Sequence, residues 1–168
     1  ELRKKLLELA DASKARPDER FVALRAASEL AVDGGDLNSA LATVELLGGA
    51  YNFVPYLAKM AMISRYSSAH TEAEEMAVAL QAQHELALAT EKEGQYEHAV
   101  KAGDVLYAMS RKPGGAKWRK TAFDLRKRLH SLHEQWSEYE AARTTLAASP
   151  DDPLANELVG RWLCLHRG

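Results

Sequence analysis

Apolar residues recur at intervals of three and four along nearly the whole chain, which is the spacing of one face of an α-helix. No stretch has the two-residue alternation and β-branched enrichment typical of a strand. Proline and glycine interrupt the apolar stretches: all five prolines fall between them, and so do three Gly-Gly pairs. These pairs are Gly34-Gly35, Gly48-Gly49 and Gly114-Gly115. The pattern therefore predicts an all-α fold.

The interruptions divide the chain into eight predicted helices. Their ranges are 2–14, 18–32, 37–47, 56–66, 71–92, 95–110, 117–147 and 153–165. Asp36 is the predicted N-cap of the third helix, because its carboxylate can accept a hydrogen bond from an unpaired amide of the first turn. Thr71 and Glu74 have the spacing of a capping box at the start of the fifth helix.

The seventh predicted helix carries an apolar stripe in alternating steps of four and three. The stripe consists of Trp118, Ala122, Leu125, Leu129, Leu132, Trp136, Tyr139 and Leu146. A helix of ~30 residues is about 45 Å long, which is too long for one helix of a short repeat. We expect a spine along which shorter helices of the same chain pack. The alternative is a coiled-coil-like seam, Trp118–Leu146, for pairing with a second copy.

Two predicted helix pairs share a pattern of small residues. Ser28 precedes Gly35, and Ala40 follows Ser28 by twelve residues. Ala87, Gly94 and Ala99 repeat this arrangement. Closely packed helices need small side chains where they meet, and glycine permits a sharp turn between them. Gly160 holds the same place in the last helix, and a matching residue twelve positions later would lie beyond Gly168.

These features resemble the tetratricopeptide-repeat family: a small residue in the first helix, a glycine-containing turn, alanine in the second helix and proline before the next unit. The segments 18–27 and 150–164 also resemble an uncharacterised helical module of large, often exported, bacterial proteins, to which no activity is assigned. The resemblance implies antiparallel hairpins in an irregular right-handed array with one spine helix. It further implies one domain over 1–168, as a fragment of a longer chain ending within a repeat.

The resemblance also implies a groove for a protein or peptide, lined by exposed positions of the first helix in each unit. The candidate groove residues are Arg25, Glu29, Gln81, His84, Glu157 and Arg161. Export or a periplasmic location follows from the resemblance alone, and a cytoplasmic location stays open. The apolar face of the last helix has no predicted partner helix, so we expect it to fold back on the long helix. This face consists of Leu158, Val159, Trp162 and Leu165.

The composition of the 168 residues, 46% hydrophobic and 27% charged, is that of a folded domain, without the ~20 consecutive apolar residues that a membrane span needs. The net charge of −2 hides two opposite blocks. Residues 71–99 carry seven acidic side chains and one lysine, or −6, whereas residues 111–128 carry eight basic side chains and one aspartate, or +7. The blocks could pair internally or attract a charged partner. The candidate basic patch consists of Lys117, Arg119, Lys120, Arg126, Lys127 and Arg128.

Catalytic and cofactor patterns are weak. His130 and His133 share one side of a helix, but zinc needs three or four convergent ligands and no His-Glu-x-x-His motif occurs. Cys164 lies in an apolar run and is predicted to be a buried, inert thiol. No Gly-x-Ser-x-Gly motif or phosphate-binding glycine loop is present. No cofactor is therefore expected.

The sequence predicts a non-enzymatic scaffold or protein-interaction module with a protein or peptide partner. Nucleic acid is disfavoured, because Trp118 within the basic segment falls on the apolar stripe and no nucleic-acid-binding fold matches. Self-association as a homodimer is the main alternative. A metal-dependent accessory enzyme centred on His130 and His133 is the less favoured one.

Overall fold

The computed structural model describes residues 1–166, which form eight α-helices and one turn of 3₁₀-helix at Ala116–Trp118. The helices are α1 (Leu2–Ala12), α2 (Pro17–Asp33), α3 (Leu37–Tyr51), α4 (Tyr56–Ala69), α5 (Ala73–Lys92), α6 (Tyr96–Ser110), α7 (Arg119–Ala148) and α8 (Pro153–His166). The all-α prediction is confirmed, since none of these residues lies in a strand. Within the same range, every helix is too short or too polar to cross a bilayer.

Most predicted helix ends agree with the structure to within a few residues, but the Gly48-Gly49 pair does not end α3. The helix continues to Tyr51, and Asn52 then adopts a left-handed conformation with φ of 50°. Gly48 is buried where the following loop returns across the helix: a Cβ there would lie 3.3 Å from the Phe53 carbonyl oxygen. Glycine at this position therefore lets the loop pass close to α3, and the prediction that Gly48-Gly49 ends the helix was wrong.

The start of α5 lies one residue later than its predicted capping box. The backbone N–H of Glu72 donates to the Glu75 carboxylate at 3.2 Å, so the predicted pair Thr71 and Glu74 is wrong. His70 fixes this register, because its Nδ1 lies 3.1 Å from Glu75 and its Nε2 lies 2.9 Å from the carbonyl oxygen of Val32 at the end of α2. His70 thereby joins α2 to α5.

The predicted cap of α3 is confirmed. Asp36 accepts a hydrogen bond from the backbone N–H of Ser39 at 3.0 Å, and Arg3 of α1 donates to the other carboxylate oxygen at 2.6 Å. Hydrogen bonding to Ser39 holds the pKa of Asp36 below its ordinary value of 3.8. The same carboxylate therefore caps one helix and holds another.

The helices pack mainly against their neighbours in sequence, from α1 on α2 to α7 on α8, and α4 also contacts α2 and α6. The main core lies among α4, α5, α6 and α7, where Ile63, Leu80, Leu106 and Leu129 are fully buried. A smaller cluster joins α1, α2 and α3. Within residues 1–166, the terminal helices make most of their contacts with one neighbour each, α1 with α2 and α8 with α7.

The two helix pairs with the small-residue pattern, α2–α3 and α5–α6, are joined by turns of the same kind. The first turn has hydrogen bonds from Asp36 N to the Ala31 carbonyl and from Gly35 N to the Val32 carbonyl. The second repeats both bonds around Gly94, and both glycines have positive φ, 80° and 72°. This is the Schellman arrangement, in which a left-handed glycine lets the last helical carbonyls be satisfied. The predicted contact residues Ser28, Ala40, Ala87 and Ala99 are all buried.

The α7 stripe faces the interior of the same chain. Ala122, Leu125, Leu129 and Tyr139 are buried, and the remaining stripe residues are half-buried. α7 packs on α6 through its first half and holds α8 as well. Gly103 of α6 lies at a close approach of the two helices, since a Cβ there would lie 2.9 Å from Leu129 Cδ1.

The last helix folds back on α7, as predicted, but only part of its predicted face is covered. Trp162 is buried, with its ring stacked 5.4 Å from Tyr139. Leu165, by contrast, is 67% exposed at the edge of the α7–α8 contact. Cys164 is also exposed, so the prediction of a buried thiol was wrong. Two residues correspond to about 200° around a helix, and Cys164 therefore points away from the side that buries Trp162.

Candidate functional site

The predicted basic patch lies on and just before the first third of α7, and the structure divides it into two groups. Arg126 donates through Nε to Asp104 of α6 at 2.6 Å. Arg128 forms a two-contact ion pair with Glu91 of α5. These two arginines therefore join helices, and the Arg128 pair is a direct contact between the basic and the acidic blocks.

The other four patch residues are available to a partner. Within residues 1–166 they have no ion pair, and all four are exposed. They are Lys117, Arg119, Lys120 and Lys127. Arg111 and Lys112, just after α6, add two more exposed cations without an ion pair in the described part of the chain. Asp124 is the sole acidic residue between positions 111 and 128, so this segment of the chain is strongly basic.

Two aromatic side chains lie within this positive region. Phe123 of α7 is 49% exposed, and its ring centroid lies 6.1 Å from that of Tyr107 on α6. Tyr107 is half-buried against the main core. The guanidinium of Arg126 lies 5.2 Å from the centre of the Tyr107 ring, within the range of a cation–π contact. Tyr107 is therefore held between the core and a cation, whereas Phe123 is open to solvent.

The arrangement forms an open cleft of about 540 Å³ between α6 and α7. We call it the basic–aromatic cleft, and it is lined by Tyr107, Arg111, Arg119, Lys120 and Phe123. A second cleft continues along α7 on the other side of Phe123 and includes Lys127 and His130. Phe123 thus stands between two hollows with basic side chains, which suits an anionic ligand that also has an apolar group.

Asp104 of α6 contacts two side chains that line the second cleft, Arg126 and His130. It accepts from Arg126, and its Oδ1 also lies 3.0 Å from His130 Nε2. Burial alone would raise the pKa of Asp104, but the hydrogen bonds to Arg126 and His130 outweigh burial and hold this pKa below 3.8. The carboxylate therefore stays ionised near neutral pH and keeps Arg126 over the Tyr107 ring.

The two histidines of the metal-site alternative have protein neighbours. His130 contacts Asp104, and the His133 ring lies 6.0 Å from that of Trp136. Among residues 1–166, no three His, Cys, Asp or Glu side chains lie together so that they could hold a metal ion. The metal-dependent enzyme stays a sequence-based alternative without a ligand set in the described chain.

The six predicted groove residues lie on three helices that are not direct neighbours in the main packing. On α2, Arg25 donates to Glu29 at 3.0 Å. On α5, Gln81 donates to Glu85, and the His84 ring lies 5.6 Å from Trp118. On α8, Glu157 is exposed and Arg161 lies 3.4 Å from Glu138. A groove shared by all six stays a prediction.

A third surface is apolar and lies at the other end of the chain. α1 and α2 enclose an open hollow of about 410 Å³, whose apolar lining includes Leu6, Leu9 and Val22, with Asp18 and Glu19 at its side. Val22 is 64% exposed. Its lining holds no aromatic residue, and its two carboxylates have no apolar ring beside them, so the hollow does not favour one kind of ligand.

The predicted basic patch includes Arg119 and Lys120 of the basic–aromatic cleft, but it leaves out Arg111, and the sequence pattern did not indicate Tyr107. Both come from the end of α6, and only the packing of α6 on α7 places them beside Phe123. In comparisons with protein families, curated proteins and solved structures, the chain had no match. The resemblance to tetratricopeptide repeats therefore stays a prediction.

Proposed function

We propose that the chain is a non-enzymatic helical scaffold that binds another protein through the basic–aromatic cleft. The proposal rests on one observation: charged and aromatic side chains lie together in this cleft, and contacts within the chain leave them available to a partner. Arg119, Lys120 and Phe123 project from a helix whose opposite face is in the main core. Their backbone is held in place before a partner arrives, which lowers the entropy cost of binding.

The burial of the α7 stripe favours this proposal over self-association through Trp118–Leu146. Leu129 is 1% exposed and Leu125 is 6% exposed in the single chain. A second copy could contact these residues only if the helices that cover them in the main core, such as α6, moved away. Binding through the cleft needs no such rearrangement.

A site-specific photocrosslinking experiment tests the proposal. The photoreactive residue p-benzoylphenylalanine replaces Phe123 in one variant and Leu154, a 65% exposed residue of α8, in a matched control. Both proteins are irradiated in an extract of cells that make the chain. We expect a discrete protein adduct at position 123 that saturates and that unlabelled wild-type protein displaces. The same adduct should be absent at position 154.

Displacement by a charge-reversed competitor makes the test specific. An unlabelled Arg119→Glu/Lys120→Glu variant should fail to displace the adduct, because it lacks two cations of the cleft. Equal displacement by this variant and by wild type, or the same adducts at positions 123 and 154, would refute binding through the cleft. An adduct whose mass is that of two copies of the chain would favour the homodimer instead.

A further inference from the structure

We infer that the basic–aromatic cleft binds a short acidic peptide segment in which one aromatic or large aliphatic side chain stands between carboxylates. This inference rests on the proposed function and specifies the chemistry of the partner. Three features of the cleft support it: cations that the chain itself leaves unpaired, an exposed aromatic ring, and the small extent of the positive surface.

The unpaired cations define the charge of the ligand. Arg119 and Lys120 line the cleft with Arg111, and Lys127 lines the continuation beyond Phe123. Arginine offers a planar set of donors that matches a carboxylate with two parallel hydrogen bonds. The two arginines belong to different elements: Arg111 follows the end of α6, and Arg119 is the first residue of α7. A ligand with carboxylates on both sides of a central residue would reach both of them.

The aromatic pair defines the centre of the ligand. Phe123 has half of its side chain in solvent, while Tyr107 beside it is held by the core and by Arg126. An apolar group placed against these rings would remove exposed apolar surface of Phe123 from water. Aromatic and arginine side chains together are also the residues that most often dominate binding energy at protein interfaces. A purely charged ligand would leave this surface uncovered.

The extent of the cleft sets the length of the ligand. Arg119 and Lys127 are eight residues apart on one helix, which corresponds to about 12 Å. An extended peptide covers this distance with about four residues. The ligand is therefore a short segment of an unfolded or loop region rather than a folded surface.

The short length of the cleft also favours a peptide over nucleic acid. A polynucleotide carries charge along its whole length, so beyond Lys127 it would pass close to a carboxylate. Glu134 lines the second cleft seven residues after Lys127 on α7, which is about 10 Å further along the helix. Repulsion by this carboxylate would oppose a long polyanion. A peptide segment of about four residues that ends near Lys127 does not reach it.

Fluorescence anisotropy with labelled hexapeptides tests the inference on the whole chain. The probe is an acetylated, amidated peptide with phenylalanine in the third position and glutamate elsewhere. Comparison peptides replace phenylalanine by alanine, or every glutamate by lysine, and a six-residue oligothymidine represents nucleic acid. We expect saturable binding of the first peptide, at least about tenfold weaker binding of the alanine peptide, and none of the lysine peptide. The Kd should rise with salt, since the charges are exposed.

Charge-matched variants keep the result specific to the cleft. Arg119→Glu/Lys120→Glu should weaken peptide binding at least about tenfold. Lys4→Glu/Lys5→Glu changes the net charge equally on exposed positions of α1 and should leave the Kd within about twofold. Circular dichroism and urea unfolding confirm that each variant is folded. Phe123→Ala should remove the difference between the phenylalanine and alanine peptides while leaving a weaker, salt-sensitive binding.

The outcomes separate the inference from the proposed function. Tighter binding of oligothymidine than of the acidic peptide, or equal binding by both charge-reversed variants, would overturn the peptide inference. If no acidic peptide binds but position 123 still crosslinks to one protein that wild type displaces, the partner has other chemistry and the proposed function stands. If crosslinking at position 123 also fails, both are wrong.

Discussion

The contact of Gly103 with Leu129 gives the sharpest test of how α6 and α7 are joined. A Cβ added at Gly103 would lie 2.9 Å from Leu129 Cδ1 and 3.6 Å from the Cα of Arg126. Carbon atoms in contact normally stay about 3.5–4.0 Å apart. Leu129 is 1% exposed and surrounded by core residues, so its side chain has little room to move. Gly103→Ala should therefore overpack this contact, and removal of the Leu129 side chain should relieve it.

The magnitudes follow from two opposing effects. Overpacking a core costs about 1–3 kcal/mol, while glycine to alanine inside a helix stabilises by about 1 kcal/mol. Gly103→Ala alone should therefore change stability by about 0–2 kcal/mol in the destabilising direction. Leu129→Ala should cost about 2–5 kcal/mol, as for other buried leucines. In the Leu129→Ala background, Gly103→Ala should instead stabilise by about 1 kcal/mol, because the clash is gone and the helix preference remains.

Urea unfolding of the four proteins, followed by circular dichroism, measures this double-mutant cycle. The expected coupling between the two positions is about 1–3 kcal/mol. If Gly103→Ala has the same effect in both backgrounds, the close approach of α6 and α7 at this point is refuted. Light scattering on the same samples examines self-association: a dimer that Leu129→Ala converts to a stable monomer would show that the stripe is a seam and not the core of one chain.

Three further predictions concern single contacts. His70→Phe removes the contacts of both ring nitrogens with α2 and α5, so urea unfolding should show a loss of about 1–3 kcal/mol, and an unchanged midpoint would contradict this role. Gly94→Ala introduces a side chain at φ of +72° in open space, and should lower stability by about 1–2 kcal/mol. Gly49→Ala, inside α3, should raise it by up to about 1 kcal/mol, and thermal shifts of the same sign would refute the strain argument. Because folding lowers the pKa of Asp104, its contribution is complete above pH 3.8 and disappears as pH falls through the lower folded pKa. Asp104→Asn should therefore flatten the acid side of the stability–pH profile measured from urea midpoints, and an unaltered slope would be inconsistent with that pKa shift.

The helices could be predicted from the sequence because proline, glycine and capping residues act locally. Asp36 caps α3 as expected, and the turns around Gly35 and Gly94 follow from the left-handed backbone that glycine permits. The errors occurred where distant contacts decide. Gly48 lies inside α3 at the place where the loop around Phe53 packs on the helix, and Glu72 caps α5 where His70 contacts the Glu75 carboxylate.

The candidate site could be predicted only in part, because some of its features depend on contacts between residues that are distant in sequence. The basic residues before and on α7 could be predicted because they can be read directly from the sequence. Which of them form ion pairs within the chain could not be predicted, because Arg126 and Arg128 bind carboxylates that are 22 and 37 residues away. Tyr107 belongs to the cleft only because α6 packs on α7. The exposure of Cys164 depends in turn on the side of α8 that meets α7.

The packing order also has a consequence for the dynamics of the chain. Most helices contact neighbours in sequence, so folding closes only short loops and can begin wherever two adjacent helices meet. α1 buries only Ala10, and α8 buries only Ala155 and Trp162 among the residues described. Amide protons of the two end helices should therefore exchange through local opening, and those of α5, α6 and the first half of α7 only through global unfolding. The cleft between α6 and α7 would thus keep its shape while both ends of the chain open and close.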